Sequence, residues 1–196
     1  MSTLVSLYEM NNHTSDKWGS KPEDHTYLPV YDTLFERLRF RTNKILEIGV
    51  YRGDSLNLWA EYFRSSIIYG VDSNLSQVDL KLHSNVELIA GDAYKQGFMG
   101  VINGKGKFDI IIDDGSHNIE HQVFVIKHYI GLLVDDGILI IEEAAFNRKK
   151  ELKMDVINIL LGCFPEYLKK CIYCEDRRSV KNNPDDVLII CDKSKL

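Results

Sequence analysis

Nothing in this 196-residue chain is long and apolar enough to span a bilayer. Met1 to Met10 has neither the basic start nor the apolar run of a secretory signal, so the chain reads as soluble and cytoplasmic. Positive charge is short as well: 24 Lys and Arg stand against 29 Asp and Glu, for a formal net charge of −5. A nucleic-acid surface needs clustered Lys and Arg to neutralise phosphates, and the short Arg148-Lys149-Lys150 run reads as a solvated helix start instead. Cysteine is confined to Cys163, Cys171, Cys174 and Cys191. The Cys171-x-x-Cys174 pair lacks the second pair or the histidines that a zinc site requires, so all four read as reduced, packed side chains. There are no repeats and no low-complexity segment.

What is present, with 44% hydrophobic residues, suits one domain with a full core. Short β-branched runs at Lys44–Ile48, Ile67–Asp72, Val86–Ala90, Phe108–Asp113, Gly137–Ile141, Cys171–Cys174 and Asp186–Cys191 read as strands. Amphipathic stretches at Ser55–Phe63, Ser76–Leu82, Ala93–Ile102, Glu120–Leu133 and Lys150–Phe164 read as helices. Strand–helix alternation at this spacing means βαβ units in an α/β, Rossmann-like, doubly wound sheet of seven strands. The all-apolar runs Ile110–Ile112 and Ile138–Ile141 suit strands covered on both faces. The last two strands are joined by the polar Arg177–Asp185 loop with its Asn182-Asn183-Pro184, which fits an antiparallel hairpin at the sheet edge. Residues 1–43 stand apart from the 44–196 domain: Ser2–Asp24 shows no periodicity and Tyr27–Phe40 reads as a helix, so this segment is expected to act as a lid over the ligand edge.

In open α/β sheets the ligand sits at the carboxyl ends of the strands, where strand order reverses. Leu46-Glu47-Ile48-Gly49-Val50-Tyr51-Arg52-Gly53-Asp54-Ser55 closes the first strand and opens a helix. Gly49 and Gly53 allow a ligand's close approach, Ser55 marks a helix start with free N–H groups, and Glu47 is a charge that needs a partner. The G-x-G-x-x-G turn of dinucleotide sites is missing, which disfavours a nicotinamide cofactor. Asp72 ends the second strand, placed to accept ribose hydroxyls, and Asp92 the third, placed to meet an adenine amino group. Either acid alone is ordinary turn chemistry; in register at successive strand ends they point to a nucleoside.

The string Asp109-Ile110-Ile111-Ile112-Asp113-Asp114-Gly115-Ser116-His117 is the most specific in the chain. Adjacent carboxylates at a strand end repel unless something positive binds them, and the next strand ends in Glu142-Glu143. Asp114, Glu142 and Glu143 are therefore expected to converge on a hard divalent cation such as Mg²⁺. The competing reading is that these acids cap helices. His117 is the candidate general base beside Asp114, and His121, one turn further on, reads as a hydrogen-bonded structural histidine.

Glu47-x-Gly49-x-x-x-Gly53, Asp72 and Gly91-Asp92 resemble the cofactor motifs of class I S-adenosylmethionine-dependent methyltransferases. That resemblance runs from Lys44 to the C-terminus. It implies that Glu47 and the glycine turn hold the methionine end, Asp72 the ribose and Asp92 the adenine, with Gly49, Gly53, Ser55 and Asp113 in the same cofactor set. Ile112–His117 with Glu142-Glu143, together with Ser15–Ser20 and His25–Tyr31, is similar to a narrower family, the metal-dependent sugar O-methyltransferases of macrolide tailoring (mycinamicin and macrocin type). It implies methyl transfer to a sugar hydroxyl of a glycan or glycosylated metabolite, with Asp114, Glu142 and Glu143 as metal ligands and His117 as base. Glu143 departs from the Glu-Asp pair more usual there, and the extra N-terminal domain of those relatives has no counterpart in this chain.

Trp18, His25, Tyr27, Tyr51, Phe146 and Arg177 are the candidates for the acceptor mouth. A catechol-like acceptor would use a similar metal site, and a protein that binds the nucleoside without turnover is the alternative from another class. Acidity and the absence of an Asn/Asp-Pro-Pro-aromatic motif disfavour a nucleic-acid acceptor. A homodimer is compatible with the sequence, which does not fix the oligomeric state.

Overall fold

The computed structural model describes residues 2–21, 24–144 and 153–196, without the side chains of 153–155. Its centre is a seven-stranded sheet in the order β3-β2-β1-β4-β5-β7-β6. The strands are β1 (Lys44–Ile48), β2 (Ile67–Asp72), β3 (Val86–Ala90), β4 (Phe108–Asp113), β5 (Leu133–Ile141), β6 (Ile172–Asp176) and β7 (Val187–Asp192). β1 to β5 pair in parallel, and β7 runs antiparallel between β5 and β6. The expected sheet and its C-terminal hairpin are therefore both present. The chain moves outward from β1 to β3, then restarts on the other side of β1 with β4, which puts the switch point between β1 and β4.

The helices are α1 (Leu4–Met10), α2 (Leu28–Phe35), α3 (Asp54–Tyr62), α4 (Met99–Asn103), α5 (Ile119–Tyr129), α6 (Lys153–Gly162) and the single turn α7 (Arg178–Lys181). Side chains alternate along a strand, so each face of the sheet collects its own core. Leu46, Ile48, Ile111, Leu139 and Ile141 pack with Met99, Ile102, Val125, Tyr129 and Leu160, under α4, α5 and α6. Ile45, Ile110, Ile112, Ile138 and Ile140 pack with Leu4, Leu7, Tyr31, Phe35, Leu56 and Trp59, under α1, α2 and α3. The N-terminal segment is thus the covering layer of one face. No helix among the described residues is long and apolar enough to cross a membrane.

Several boundaries differ from the sequence reading for local reasons. α1 lies in the stretch read as aperiodic: Thr3 caps it, and the Asp32 carboxylate accepts from the Leu4 N–H at 2.6 Å, a partner 28 residues away. The expected helix at Ser76–Leu82 is only a 3₁₀ turn at Leu75–Gln77. The Asn57 side chain donates to the Lys81 carbonyl (3.1 Å) and accepts from the His83 N–H (3.0 Å), holding that backbone against α3 in non-helical form. β5 starts at Leu133 because the exposed Asp135 belongs to the strand, although no apolar pattern marks it. All four cysteines are free, Cys171 and Cys191 buried. Arg148-Lys149-Lys150, Phe146 and the start of the Lys150–Phe164 helix lie outside the described residues.

Candidate active site

At the switch point the Asp114 N–H donates to the Ile48 carbonyl (2.9 Å), locking the two strand ends together. Gly49 follows with φ 95°, and a Cβ there would lie 2.0 Å from the Asp114 carbonyl oxygen. Gly53 has φ 90°, and its Cβ would meet Leu82 at 2.8 Å. Both positions have backbone that favours glycine, and at Gly49 the approach of the Asp114 carbonyl leaves no room for a Cβ. Beside this turn opens a cavity of about 800 Å³ lined by Gly49, Tyr51, Ser55, Asp72, Asp92 and His117 among others. Such a volume lies within the usual span for small-molecule sites.

Asp72 lines this cavity, while its Oδ2 accepts from the Val50 N–H (2.9 Å) and its Oδ1 from the Asn74 N–H (2.9 Å). Asp92 accepts from the Tyr94 N–H (3.0 Å) and faces Lys95 Nζ at 3.3 Å, so its turn role is real and its place on the cavity wall is too. Burial opposes the ionised form of Asp92, but these two partners outweigh it and its pKa is lowered. Asp113 and Glu47 do not line the cavity. Asp113 is buried and accepts from the Tyr94 hydroxyl (2.8 Å), and burial raises its pKa to about 6. That same hydroxyl accepts from the Ser116 N–H (3.1 Å), so Tyr94 ties the turn after β3 to the turn after β4.

Glu47 points inward instead. Its Oε2 accepts from Ser55 Oγ (2.9 Å) and Trp59 Nε1 (3.1 Å), and its Oε1 faces Lys17 Nζ at 3.4 Å. Lys17, which the sequence places in the Ser15–Ser20 stretch without a role at the site, is fully buried. Its ammonium donates to Asp114 Oδ2 (2.5 Å) and Glu142 Oε1 (2.7 Å), and Glu142 Oε1 also accepts from the Tyr31 hydroxyl (2.5 Å). Burial lowers a lysine's pKa, but three facing carboxylates overcome that and hold Lys17 charged. One ammonium cannot balance Glu47, Asp114 and Glu142. Burial raises Glu47 to about 7. Glu142 is also pushed up, by burial and by the charge of Asp114.

The acids expected to converge on one point fall into two groups that share Asp114. Oxygens of Glu47, Asp114 and Glu142 gather around Lys17, and Asp114, His117 and Glu143 form the other set, each set with its ligand atoms within 4.8 Å of one another. His117 Nε2 lies 3.4 Å from Glu143 Oε1. The same Glu143 oxygen faces His25 Nε2 (3.3 Å), whose Nδ1 faces Asp186 at 3.2 Å. Burial would lower His25, but its bonds to Asp186 and Glu143 raise it to about 10. Among the described residues five non-glycines have left-handed backbone, Asn12, Tyr51, His117, Glu143 and Asn182. Asn tolerates that conformation; the other three, all at this site, hold it against a steric cost.

His121 is bonded to Ser116 Oγ (2.6 Å) and stacked on Tyr94 (4.1 Å between centroids), as its structural reading expects. The acceptor-mouth residues are less well placed. Tyr27 is buried and stacked on His25, Trp18 packs against the core, and Arg177 donates to Thr26 Oγ1 at 2.8 Å. Of the described ones only Tyr51 lines the cavity, where Thr14, Ser15, Asp16 and Lys21 of the N-terminal segment join it.

A family model described as a methyltransferase domain matches residues 46–144. Curated relatives include the 8-demethyl-8-(2-methoxy-alpha-L-rhamnosyl)-tetracenomycin-C 3'-O-methyltransferase of Streptomyces olivaceus, 33% identical over 143 residues, covering 67% of this chain and 34% of that protein. The mycinamicin VI 2''-O-methyltransferase of Micromonospora griseorubida is 37% identical over 106 residues, covering 50% of this chain and 26% of that protein. The chain thus spans about a third of the length of the curated relatives it matches. Among solved structures, the MycE methyltransferase of the mycinamycin biosynthetic pathway, in complex with Mg and SAH, superposes with a TM-score of 0.74 at 24% identity, covering 97% of this chain and 55% of that one. That likeness is one of fold. The matched residues hold most of β1, all of β2 to β5 and the strand ends at the switch point, and the chain belongs to the methyltransferase-domain family.

Proposed function

We propose that this protein is an S-adenosylmethionine-dependent O-methyltransferase acting on a sugar hydroxyl of a glycosylated metabolite, with a divalent cation such as Mg²⁺ and His117 as general base. The observation that carries the reading is the Asp114–His117–Glu143 group beside a nucleoside-sized cavity at the switch point. The relatives named as sugar O-methyltransferases supply the acceptor class.

The residues present suit both groups. Asp72 and Asp92 stand on the cavity wall where ribose hydroxyls and an adenine amino group would find acceptors, and Gly49 keeps the wall free of side chain. Glu47 supports the turn from behind through Ser55 and Trp59, so its role there is to hold the methionine end's wall in shape. Asp113 acts in the same way through Tyr94. The second group is oxygen-rich, and the excess of carboxylate over Lys17 leaves room for further positive charge, as a hard cation requires. Asp114 and Glu143 would hold it, with Glu142 adjacent.

When bound, S-adenosylmethionine supplies an electrophilic methyl and the cation lowers the pKa of a neighbouring hydroxyl. The chain's own part is proton transfer and placement. His117 takes the acceptor's proton, and the Glu143 carboxylate 3.4 Å away stabilises the imidazolium that results. Tyr51, Asp16 and Lys21 on the cavity wall offer an aromatic face and charged rims to a sugar.

Titration calorimetry of S-adenosylmethionine on wild type and Asp72→Ala tests the cofactor: binding in the micromolar range that the variant loses is expected, and no binding to wild type sinks the reading. Turnover is then measured on glycoside and phenol acceptors with and without EDTA. Glycoside turnover that EDTA removes, and that His117→Ala lowers by roughly 10²-fold or more at unchanged cofactor affinity, is the expected result. Preference for phenols would move the acceptor to the catechol-like class.

A further inference from the structure

From the N-terminal segment Lys17 brings a cation into the Glu47–Asp114–Glu142 cluster, beside the Tyr31 hydroxyl that donates to Glu142. It does so fully buried, with its ammonium 2.5 Å from Asp114, 2.7 Å from Glu142 and 3.4 Å from Glu47. A buried ammonium is tolerated only when such partners replace its hydration. The backbone fixes it in place: the Tyr27 N–H donates to the Lys17 carbonyl (3.1 Å) and the His25 N–H to that of Asp16 (2.6 Å). Because Asp114 belongs to both carboxylate groups, its Oδ2 is already paired with the Lys17 ammonium where the second group would share the carboxylate with a divalent cation. Two positive charges on neighbouring oxygens of one carboxylate oppose each other strongly when both are shielded from water.

We propose that Lys17 is a resident cation of the site, a positioning residue that holds Asp114 and Glu142 in their bound orientation and competes with the divalent cation for their oxygens. This rests on the divalent-cation reading above. It makes a prediction opposite in sign to that of a structural lysine. Removing a residue that merely shapes the site would loosen the ligands and weaken metal binding. Removing a competing charge strengthens it, while the freed carboxylates cost turnover through misplacement of the acceptor.

The test is Mn²⁺ titration of the full chain, followed by calorimetry and by the electron paramagnetic resonance of free Mn²⁺, on wild type, Lys17→Met and Lys17→Gln. Lys17→Gln keeps a hydrogen-bond donor and serves where the methionine variant fails to fold, with circular dichroism as the check. Mn²⁺ affinity raised roughly tenfold or more in the neutral variants, with kcat lowered, is the expected result. Unchanged or weaker Mn²⁺ binding in the folded variants overturns the inference and leaves the metal reading standing. No Mn²⁺ binding in any of the three proteins overturns the metal reading, and the inference falls with it.

Discussion

At the scale of single residues, the site depends on contacts so close that one methyl group decides them. Gly49 has left-handed backbone, and its missing Cβ is what lets the Asp114 carbonyl pass where the β1 and β4 ends meet. Gly49→Ala must either break that approach or shift backbone at φ 95°, so a loss of about 3 kcal/mol or more is expected. Urea unfolding measures it, and a loss below about 1 kcal/mol would mean the turn can relax. Gly49, Asp114 and His117 were legible in the sequence because each stands at a strand end in a compact local string. Lys17 was not: it lies 97 residues before Asp114 in a polar stretch with no periodicity, and only the fold brings them together. The inward turn of Glu47 was half legible. Its need for a partner followed from being a charge in an apolar strand, but Trp59 and Ser55 as those partners depend on how α3 packs.

At the scale of elements, strands declared themselves through β-branched runs, while short helices held by distant partners did not. α1 depends on Asp32 for its first turn, and the stretch after it is fastened to α3 by His13. His13 lies 2.9 Å from Asp54 and 3.3 Å from Glu61, and Asp54 also accepts from Thr14. Burial alone would lower the His13 pKa, yet bonds to these two acids raise it above its ordinary 6.5. The pKa values of Asp54 and Glu61 are lowered in turn, so the two sides agree. A histidine raised on folding adds stability that is fully present below its unfolded value and is lost as pH rises through the folded one. The gap in melting temperature between wild type and His13→Ala is therefore expected to be widest near about pH 6 and to narrow by about pH 9. A gap that stays constant across that range would show that packing, not charge, fastens the segment. Thr14, Ser15 and Asp16 directly after it line the cavity, so the same fastening shapes the cavity wall.

At the scale of the whole molecule, the question is whether residues 1–43 are an appendage or part of the fold. The lid expectation set them apart from the 44–196 domain because Ser2–Asp24 is polar and aperiodic and the segment is too short to be a domain of its own. Yet Leu4, Leu7, Tyr27, Leu28, Tyr31 and Phe35 are buried against Ile45, Ile110, Ile138 and Ile140, on the face that α4, α5 and α6 leave uncovered. A parallel sheet is stable in water only with both faces covered, since its strands are apolar on both sides. Without this layer, α3 is the one helix among the described residues that would remain over that face. Each large side chain removed forfeits about 1.5–3 kcal/mol of burial, so losing the six together forfeits roughly 9–18 kcal/mol, as much as the 5–15 kcal/mol by which a domain is normally stable. A chain beginning at Lys44 is therefore expected to be recovered aggregated or without a cooperative melt, whereas the full chain melts cooperatively. Size-exclusion chromatography and a thermal melt by circular dichroism decide between the two. A folded, monodisperse 44–196 fragment would make the segment a true lid, and Lys17 a visitor to the site that the rest of the fold can do without.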